Sequence, residues 1–176
     1  LADFYRGYDR VILLDYSRTM LRDAVERLGN DPRFIFAAAD LYNLPLADNA
    51  LDTAVTVRVL HHVADIPRAF AEFARVVRPR GTYLTEFANK RHIKARLRYT
   101  FTRRGDNPNS LAPYEFVKLN FDFHPRYIQD NLRAVNLVVQ DKRAVSTFRV
   151  AWLKRIVPAS ILAAIDGLLQ HPTANF

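Results

Sequence analysis

The sequence lacks the residues that mark disulfide-rich, secreted and membrane-spanning proteins. It has no cysteine, which excludes a disulfide framework and a thiolate metal site and fits a reducing compartment such as the cytoplasm. No segment approaches the roughly 18 consecutive apolar residues that a membrane-spanning helix needs. Residues 1–6 lack the apolar region of a signal peptide. We therefore expect a cytoplasmic globular protein.

Glycine is scarce, and its positions bear on one class of ligand site. The five glycines of the 176-residue chain stand at positions 7, 29, 81, 105 and 167. They form no Gly-x-Gly pair, so the sequence contains no glycine-rich loop through which the backbone approaches a nucleotide-like cofactor.

Positive charge is present in excess but is confined to one segment. The chain carries 26 Lys and Arg against 18 Asp and Glu, which gives a formal net charge of +8. Residues 90–104 hold seven of these basic residues and no acidic one, so the rest of the chain is close to neutral. A local excess of charge predicts a local anionic partner.

Short apolar segments alternate with amphipathic ones in the first half of the chain. Strands are predicted at residues 10–15, 33–38, 51–57 and 82–87. Helices are predicted between them, one starting at Ser17 and ending with Gly29 as C′, the other starting at Asp65 and ending at Pro79 and Gly81. This alternation predicts an α/β fold with a doubly wound, mostly parallel sheet.

The second half of the chain has a different pattern. The basic segment is predicted to be helical, with Ile93, Leu97 and Phe101 spaced four apart on one face. Pro125 opens another helix, and a C-terminal antiparallel hairpin is predicted from residues 137–145 and 147–151, followed by a helix at 159–170. No linker divides the chain, so we expect one domain over residues 1–176.

Four sequences within residues 1–87 stand in the order of a known family. They are the strand ending in Asp15, Ala-Asp-Leu at 39–41, Asp-Thr-Ala-Val-Thr-Val-Arg-Val-Leu-His-His at 52–62 and Arg-Val-Val-Arg-Pro-Arg-Gly at 75–81. This series resembles the class I S-adenosylmethionine-dependent methyltransferases, particularly the type 11 group. The resemblance implies a Rossmann-like fold, with residues 1–87 as the cofactor-binding half and 88–176 as the substrate-facing half.

The resemblance implies a set of cofactor-binding residues. Asp15 is expected to accept hydrogen bonds from the ribose hydroxyls of S-adenosylmethionine, because carboxylates offer paired acceptors and ligands bind at strand ends in α/β sheets. Tyr16 and Met20 are expected to line the adenine, and Asp40, with the Leu41 backbone, to accept from its amino group. The alternative is that Asp15 and Asp40 only cap a strand end and a turn.

Arg58 stands at the position that faces the methionine part of the cofactor in this family. The sequence departs from the family in two places. Arg80 precedes Gly81 where a Gly-Gly pair is usual, and a first strand with a glycine-rich loop is expected before a helix that ends near Tyr8. On that ground we expect this chain to be a fragment whose central first strand is missing.

Two other functions have partial support in the sequence. Tyr114 and Lys118 have the Tyr-x-x-x-Lys spacing of short-chain dehydrogenases, which would place both side chains on one helix face. His61, His62 and Asp65 resemble a metal-ligand set, but adjacent histidines on a strand point to opposite faces and Asp65 suits a helix N-cap. We predict no metal site.

Methyl transfer requires a base only if the acceptor must lose a proton. The candidates are His62, Glu86 and His124, of which His124 also suits the N-cap of the helix that Pro125 starts.

The sequence favours S-adenosylmethionine-dependent methyl transfer to a small or lipid-like acceptor. The basic segment 90–104 has three interpretations, which are a solvated helix face, a binding surface for an anionic substrate or membrane lipid, and a nucleic-acid contact. The near-neutral remainder of the chain argues against nucleic acid. The alternative function is an inactive methyltransferase-like module that docks an anionic partner through this segment.

Overall fold

A computed structural model describes residues 5–103, 105–145 and 158–171. Within these ranges the strands are β1 (Val11–Asp15), β2 (Phe34–Ala38), β3 (Leu51–Thr56), β4 (Val77–Thr85), β5 (Tyr114–Val117) and β6 (Asn120–Asp122). The helices are α1 (Arg18–Leu28), α2 (Ile66–Val76), α3 (Ile93–Thr102), α4 (Pro125–Ala134) and α5 (Ala159–Leu169), with a 3₁₀ turn at Leu60–His62. Of the helix predicted to end near Tyr8, residues 5–8 form a turn and residues 1–4 lie outside the described ranges.

The chain forms two compact units, and each is described by itself. The first unit comprises residues 1–54 and 71–83, and the second comprises residues 55–70 and 84–176. The paired strands are β1 with β2, β3 with β4, and β5 with β6. The predicted α/β class is confirmed, with β1 and β2 paired in parallel and β5 and β6 paired antiparallel.

In the first unit, β1 and β2 pair in parallel, from Val11 opposite Phe34 to Asp15 opposite Ala38. Helix α1 begins as predicted, because the Ser17 hydroxyl accepts a hydrogen bond from the Met20 N–H at 3.3 Å. Its end differs from the prediction: Gly29 is the C-cap in a right-handed conformation, with φ −64°. Glycine is needed there because a Cβ would lie 2.5 Å from the Val25 carbonyl oxygen.

The core of the first unit forms where α2 passes into β4. Its buried members are Leu44, Ala54, Phe73, Val76 and Val77. The ring of Phe73 stacks on that of Tyr83, with centroids 4.6 Å apart. Burial of these apolar side chains is the main source of stability in this unit.

Strand β4 corrects the predicted end of the second helix. α2 stops at Val76 and β4 begins at Val77, so Pro79 and Gly81 lie within the strand instead of ending the helix. The backbone makes the adjustment at Arg80, which has φ 67°, and at Gly81, where a Cβ would lie 2.9 Å from the Asp52 carbonyl oxygen.

In the second unit, the antiparallel hairpin lies at β5 and β6, with Tyr114 opposite Asp122. This is earlier in the chain than predicted: residues 137–145 carry no strand, and residues 146–151 lie outside the described ranges. Helix α4 begins at Pro125 as predicted and buries Ile128 and Leu132.

The basic segment is helical over a shorter range than predicted, from Ile93 to Thr102. Leu97 and Phe101, which were predicted to share one apolar face, are exposed. Among the basic residues of this segment, Lys94 and Arg98 are exposed, whereas the side chain of Lys90 is buried. It is 2% exposed and lies 2.5 Å from the Asp106 carboxylate. No helix in the described ranges is long and apolar enough to cross a bilayer.

Candidate active site

Asp15 is the last residue of β1 and lies beside the end of β2. Its carbonyl oxygen accepts a hydrogen bond from the Ala39 N–H at 3.1 Å. One carboxylate oxygen, Oδ1, accepts from the Ser17 N–H at 2.7 Å, which turns the chain into α1. Within the described residues Oδ2 accepts no hydrogen bond, so Asp15 retains an acceptor at the strand end.

Asp40 follows the end of β2, next to the residue that is bonded to Asp15. Its Oδ1 accepts the Tyr42 N–H at 2.9 Å, and its carbonyl oxygen accepts the Asn43 N–H at 3.0 Å. This is the turn geometry that was weighed as the alternative to cofactor binding. Leu41 is half-buried and packs on the core of the first unit, which fixes the backbone next to Asp40.

Tyr16 and Met20 are exposed to an extent that core packing does not explain. Tyr16 precedes the N-cap of α1, a position from which an apolar side chain often packs on the fourth helical residue, here Leu21. Instead it is 84% exposed, while Leu21 is buried. Met20 is 55% exposed, although the sequence placed it in the apolar stripe of α1. Both side chains are therefore available to a ligand.

Arg58 belongs to the second unit, two residues after β3. Its backbone is left-handed, with φ 59°, which is uncommon for a residue other than glycine and often occurs at functional sites. The side chain is exposed. Its role toward the methionine part of the cofactor stays a prediction from the family resemblance.

His61 and His62 lie in the 3₁₀ turn and not on a strand, so the expectation that they point to opposite faces is wrong. Their ring centroids are 3.9 Å apart. Nδ1 of His62 lies 3.1 Å from the Leu119 carbonyl oxygen. Because a carbonyl only accepts, Nδ1 carries the hydrogen, and the neutral ring has its lone pair on Nε2.

Burial and several neighbouring titratable groups change the pKa of His61. Burial lowers the pKa of His61, and the neighbouring His62 and Arg58 lower it further, while Glu86 and Asp122 act in the opposite direction. Burial also raises the pKa of Asp122, while His92 and Lys90 act in the opposite direction. Perturbed pKa values of this kind cluster at functional sites.

The third candidate base, His124, is the N-cap of α4. Its Nδ1 accepts the Arg126 N–H at 3.0 Å, as the alternative interpretation predicted. Burial lowers the pKa of His124, and the nearby Arg91 and Lys90 lower it further. The ring is thus held neutral with its lone pair in use, so it accepts a proton at Nδ1 only if the cap is lost.

The structure removes the geometric basis of the dehydrogenase alternative. Tyr114 lies on β5 and Lys118 in the turn that follows, so the two side chains do not share a helix face. Asp65 Oδ1 accepts the Arg68 N–H at 3.1 Å, which is the N-cap geometry predicted for it.

Sequence reasoning did not name His61 or Asp122 as candidate bases. His61 was weighed only as a metal ligand beside His62 and Asp65, and Asp122 was not singled out. The segment Asn-Phe-Asp-Phe-His at 120–124 did contain the indication, since an acidic residue between two apolar ones is placed in partial burial.

A comparison with protein families relates the first half of the chain to a known domain. The family described as a methyltransferase domain matches residues 1–85, which carry Asp15, Asp40 and Arg58. Residues 1–85, just under half of the 176-residue chain, are thus similar to a methyltransferase domain. The match covers the segments on which the class I resemblance was drawn.

Two curated relatives of the methyltransferase domain have informative names. A protein named "Probable S-adenosylmethionine-dependent methyltransferase" in Mycobacterium tuberculosis is 32% identical over 113 residues, which are 64% of this chain and 36% of that protein. A demethylmenaquinone methyltransferase of a Roseiflexus species is 35% identical over 89 residues, 50% of this chain and 37% of that protein.

Solved structures show the same fold at low sequence identity. A chain in the complex between the Haloferax volcanii Trm112 methyltransferase activator and a methyltransferase matches with a TM-score of 0.66 and 16% identity. The match covers 99% of this chain and 73% of that one.

The matched regions make up only 21% to 37% of the first curated relatives, so their full activities do not transfer directly to this chain.

Proposed function

We propose that the protein transfers a methyl group from S-adenosylmethionine to a small, lipid-like acceptor. The observation that carries the proposal is the edge where β1 and β2 end. There the Ala39 N–H bonds to the Asp15 carbonyl oxygen at 3.1 Å, which brings Asp15 and Asp40 to neighbouring positions. In α/β sheets, ligands bind outside the carboxyl ends of the strands.

The side chains at this edge fit the chemistry of the cofactor. Oδ2 of Asp15 is an acceptor for ribose hydroxyls, and Asp40 is an acceptor for the adenine amino group. Tyr16 offers a ring for stacking, Met20 a polarisable thioether, and the Leu41 backbone completes the set. When bound, S-adenosylmethionine supplies an electrophilic methyl group on a sulfonium sulfur, so the protein's main task is to orient the reactants.

We infer that His62 is the proton acceptor if the methyl acceptor must lose a proton. The Leu119 carbonyl holds its Nδ1–H, so the neutral ring presents a lone pair at Nε2. His62 is exposed, whereas His124 uses its lone pair to cap α4. Glu86 is half-buried, and it acts electrostatically on His61.

A lipid-like acceptor is supported by the second unit and by one relative. The hairpin exposes apolar side chains at Phe116, Val117 and Leu119. Among the relatives, the Roseiflexus protein is named for a demethylated menaquinone, a lipophilic ring compound. Neither observation identifies one compound, so the assay uses a short-chain demethylmenaquinone analogue beside a hydrophilic catechol.

Calorimetric binding of S-adenosylmethionine to the full chain tests the cofactor site. Asp15→Ala is expected to weaken binding by about 1–3 kcal/mol, or roughly 5- to 150-fold, through the loss of charge-assisted hydrogen bonds. Asp15→Asn keeps an acceptor for the Ser17 N–H and loses the charge, so it separates cofactor binding from the local turn. Asp23→Ala, on the exposed surface of α1, is the matched control.

Unchanged affinity in Asp15→Ala would remove Asp15 from the site. Transfer of labelled methyl groups from the cofactor to each acceptor then tests the activity. Cofactor binding without transfer to any acceptor would favour the inactive docking module over the enzyme.

A further inference from the structure

Helix α3 exposes a face that combines apolar and basic side chains. Lys94, Leu97, Arg98 and Phe101 are spaced three and four residues apart, so they lie on one side of the helix. Phe101 is 80% exposed and Leu97 52% exposed, whereas Ala95, away from this face, is buried. The helix thus has a fixed inner side and an outer face with two large apolar groups.

The positive charge of this face is not neutralised within the described part of the chain. Lys90 is paired with Asp106 and donates to the Ala112 carbonyl at 2.7 Å, so its charge is neutralised within the second unit. Lys94 and Arg98, by contrast, are exposed and form no ion pair with any described residue. Charge of this kind is complementary to a surface that presents anions.

The apolar side chains decide between the classes of anionic partner. Phosphate groups of a nucleic acid or of a free anion are met by cations alone, and Leu97 would stay in water in such a contact. At an anionic lipid surface the same face is used in full, because phosphates meet the cations while phenylalanine and leucine enter the boundary between headgroups and acyl chains.

We propose that the outer face of α3 docks the protein onto an anionic phospholipid surface. Phe101 and Leu97 enter the headgroup boundary, and Lys94 and Arg98 contact lipid phosphates. Docking of this kind is peripheral, which agrees with the absence of a membrane-crossing helix among the described residues. The proposal goes beyond methyl transfer, because binding to lipid requires neither cofactor nor acceptor.

Cosedimentation of the full chain with lipid vesicles tests the proposal without cofactor. We expect binding to vesicles of phosphatidylcholine mixed with phosphatidylglycerol, weak binding to phosphatidylcholine alone, and a loss of binding as salt is raised. Phe101→Ala should weaken binding about ten-fold, and Phe101→Trp should restore it. Lys94→Gln and Arg98→Gln should each weaken it about five-fold.

Matched controls separate docking from general changes in charge or surface. Leu168→Ala removes an apolar side chain of similar exposure, 78%, from α5, and the double variant Arg126→Gln with Arg133→Gln removes two exposed charges from α4. Both are expected to bind vesicles like the parent protein. Equal binding to the neutral vesicles, or full binding by Phe101→Ala, would overturn the proposal.

A nucleic acid serves as the competing ligand. If a single-stranded RNA binds the chain with higher affinity than the anionic vesicles, and Phe101→Ala does not change that affinity, the surface is a nucleic-acid site and the lipid proposal is wrong. Failure of the vesicle assay leaves the Asp15 experiment unaffected, and failure of cofactor binding leaves the vesicle assay unaffected.

Discussion

The imidazole of His124 stabilises α4 only while it is neutral. Its Nδ1 accepts the Arg126 N–H at 3.0 Å, and protonation would place a hydrogen between two donors. Burial and the nearby cations lower the pKa of His124, which is the shift expected for a ring that must stay unprotonated in the folded state.

The lowered pKa of His124 makes stability depend on pH. Between the folded value and the unfolded value of about 6.5, the unfolded chain binds more protons, so stability falls as the pH drops below about 6.5. His124→Asn keeps a capping oxygen and cannot titrate. We expect this variant to lose less unfolding free energy than the parent between about pH 7.5 and about pH 5.5.

Denaturant unfolding at the two pH values measures this difference. His61, whose pKa is also lowered by burial, remains in both proteins and leaves a residual dependence in the same direction. An identical loss in parent and variant would show that His124 does not contribute to the pH dependence.

At the scale of elements, Arg75 joins helix α2 to the loop at residues 44–49. Its guanidinium donates to Asp48 at 2.7 Å, to the Leu46 carbonyl at 2.8 Å and to the Leu44 carbonyl at 3.1 Å. Two further bonds go to the Glu72 carboxylate. Together these bonds fix the loop that follows Asp40 on the core.

Arg75→Lys is expected to lower the thermal midpoint, because an ammonium group keeps the charge but lacks the planar fork that reaches these acceptors together. Arg78→Lys is the control, since Arg78 forms a single exposed pair with Asp52 that should contribute little. Differential scanning calorimetry compares the two variants. Equal midpoints would mean that the fork of Arg75 is not needed to hold the loop.

The elements differ in how far the sequence could predict them. Ser17 and Asp65 predicted the starts of α1 and α2 because side-chain caps depend on local sequence alone. The β5–β6 hairpin was missed because its turn contains Leu119, which adopts φ 57° without the usual glycine or asparagine. Two hydrogen bonds hold this turn instead: a local one from the Leu119 N–H to the Glu115 carboxylate at 2.7 Å, and a long-range one from Nδ1 of His62 to the Leu119 carbonyl oxygen at 3.1 Å.

At the scale of the whole molecule, two phenylalanines show how burial decides what a residue contributes. Phe73 is 5% exposed within the core of the first unit, and Phe101 is 80% exposed on α3. Phe73→Ala should lower the free energy of unfolding by about 3–5 kcal/mol through lost packing and a residual cavity. Phe101→Ala should change it by less than about 0.5 kcal/mol.

Equilibrium denaturation of both variants tests this contrast. A large loss of stability in Phe101→Ala would mean that its ring packs in the folded protein, and it would also remove the reason to assign that ring to a lipid surface. A negligible loss in Phe73→Ala would contradict its place in the core.

The fold class was predictable from the whole sequence, whereas which charged side chains are buried and which are exposed was not. Alternating apolar and amphipathic segments specify an α/β fold, because short apolar runs form buried strands and segments with a 3.6-residue apolar period form helices. The segment 90–104 looks uniformly basic, yet Lys90 lies inside with Asp106 while Arg98 lies outside. Burial of Lys90 depends on a partner 16 residues away, which charge counting does not include.

The bond from His62 to the hairpin has a consequence for chemical modification. Because the Leu119 carbonyl occupies Nδ1, an acylating reagent such as diethyl pyrocarbonate meets the imidazole at Nε2. The acylated nitrogen is therefore selected by a backbone turn 57 residues further along the chain. A single leucine in an unusual conformation thus sets the regiochemistry of an exposed histidine.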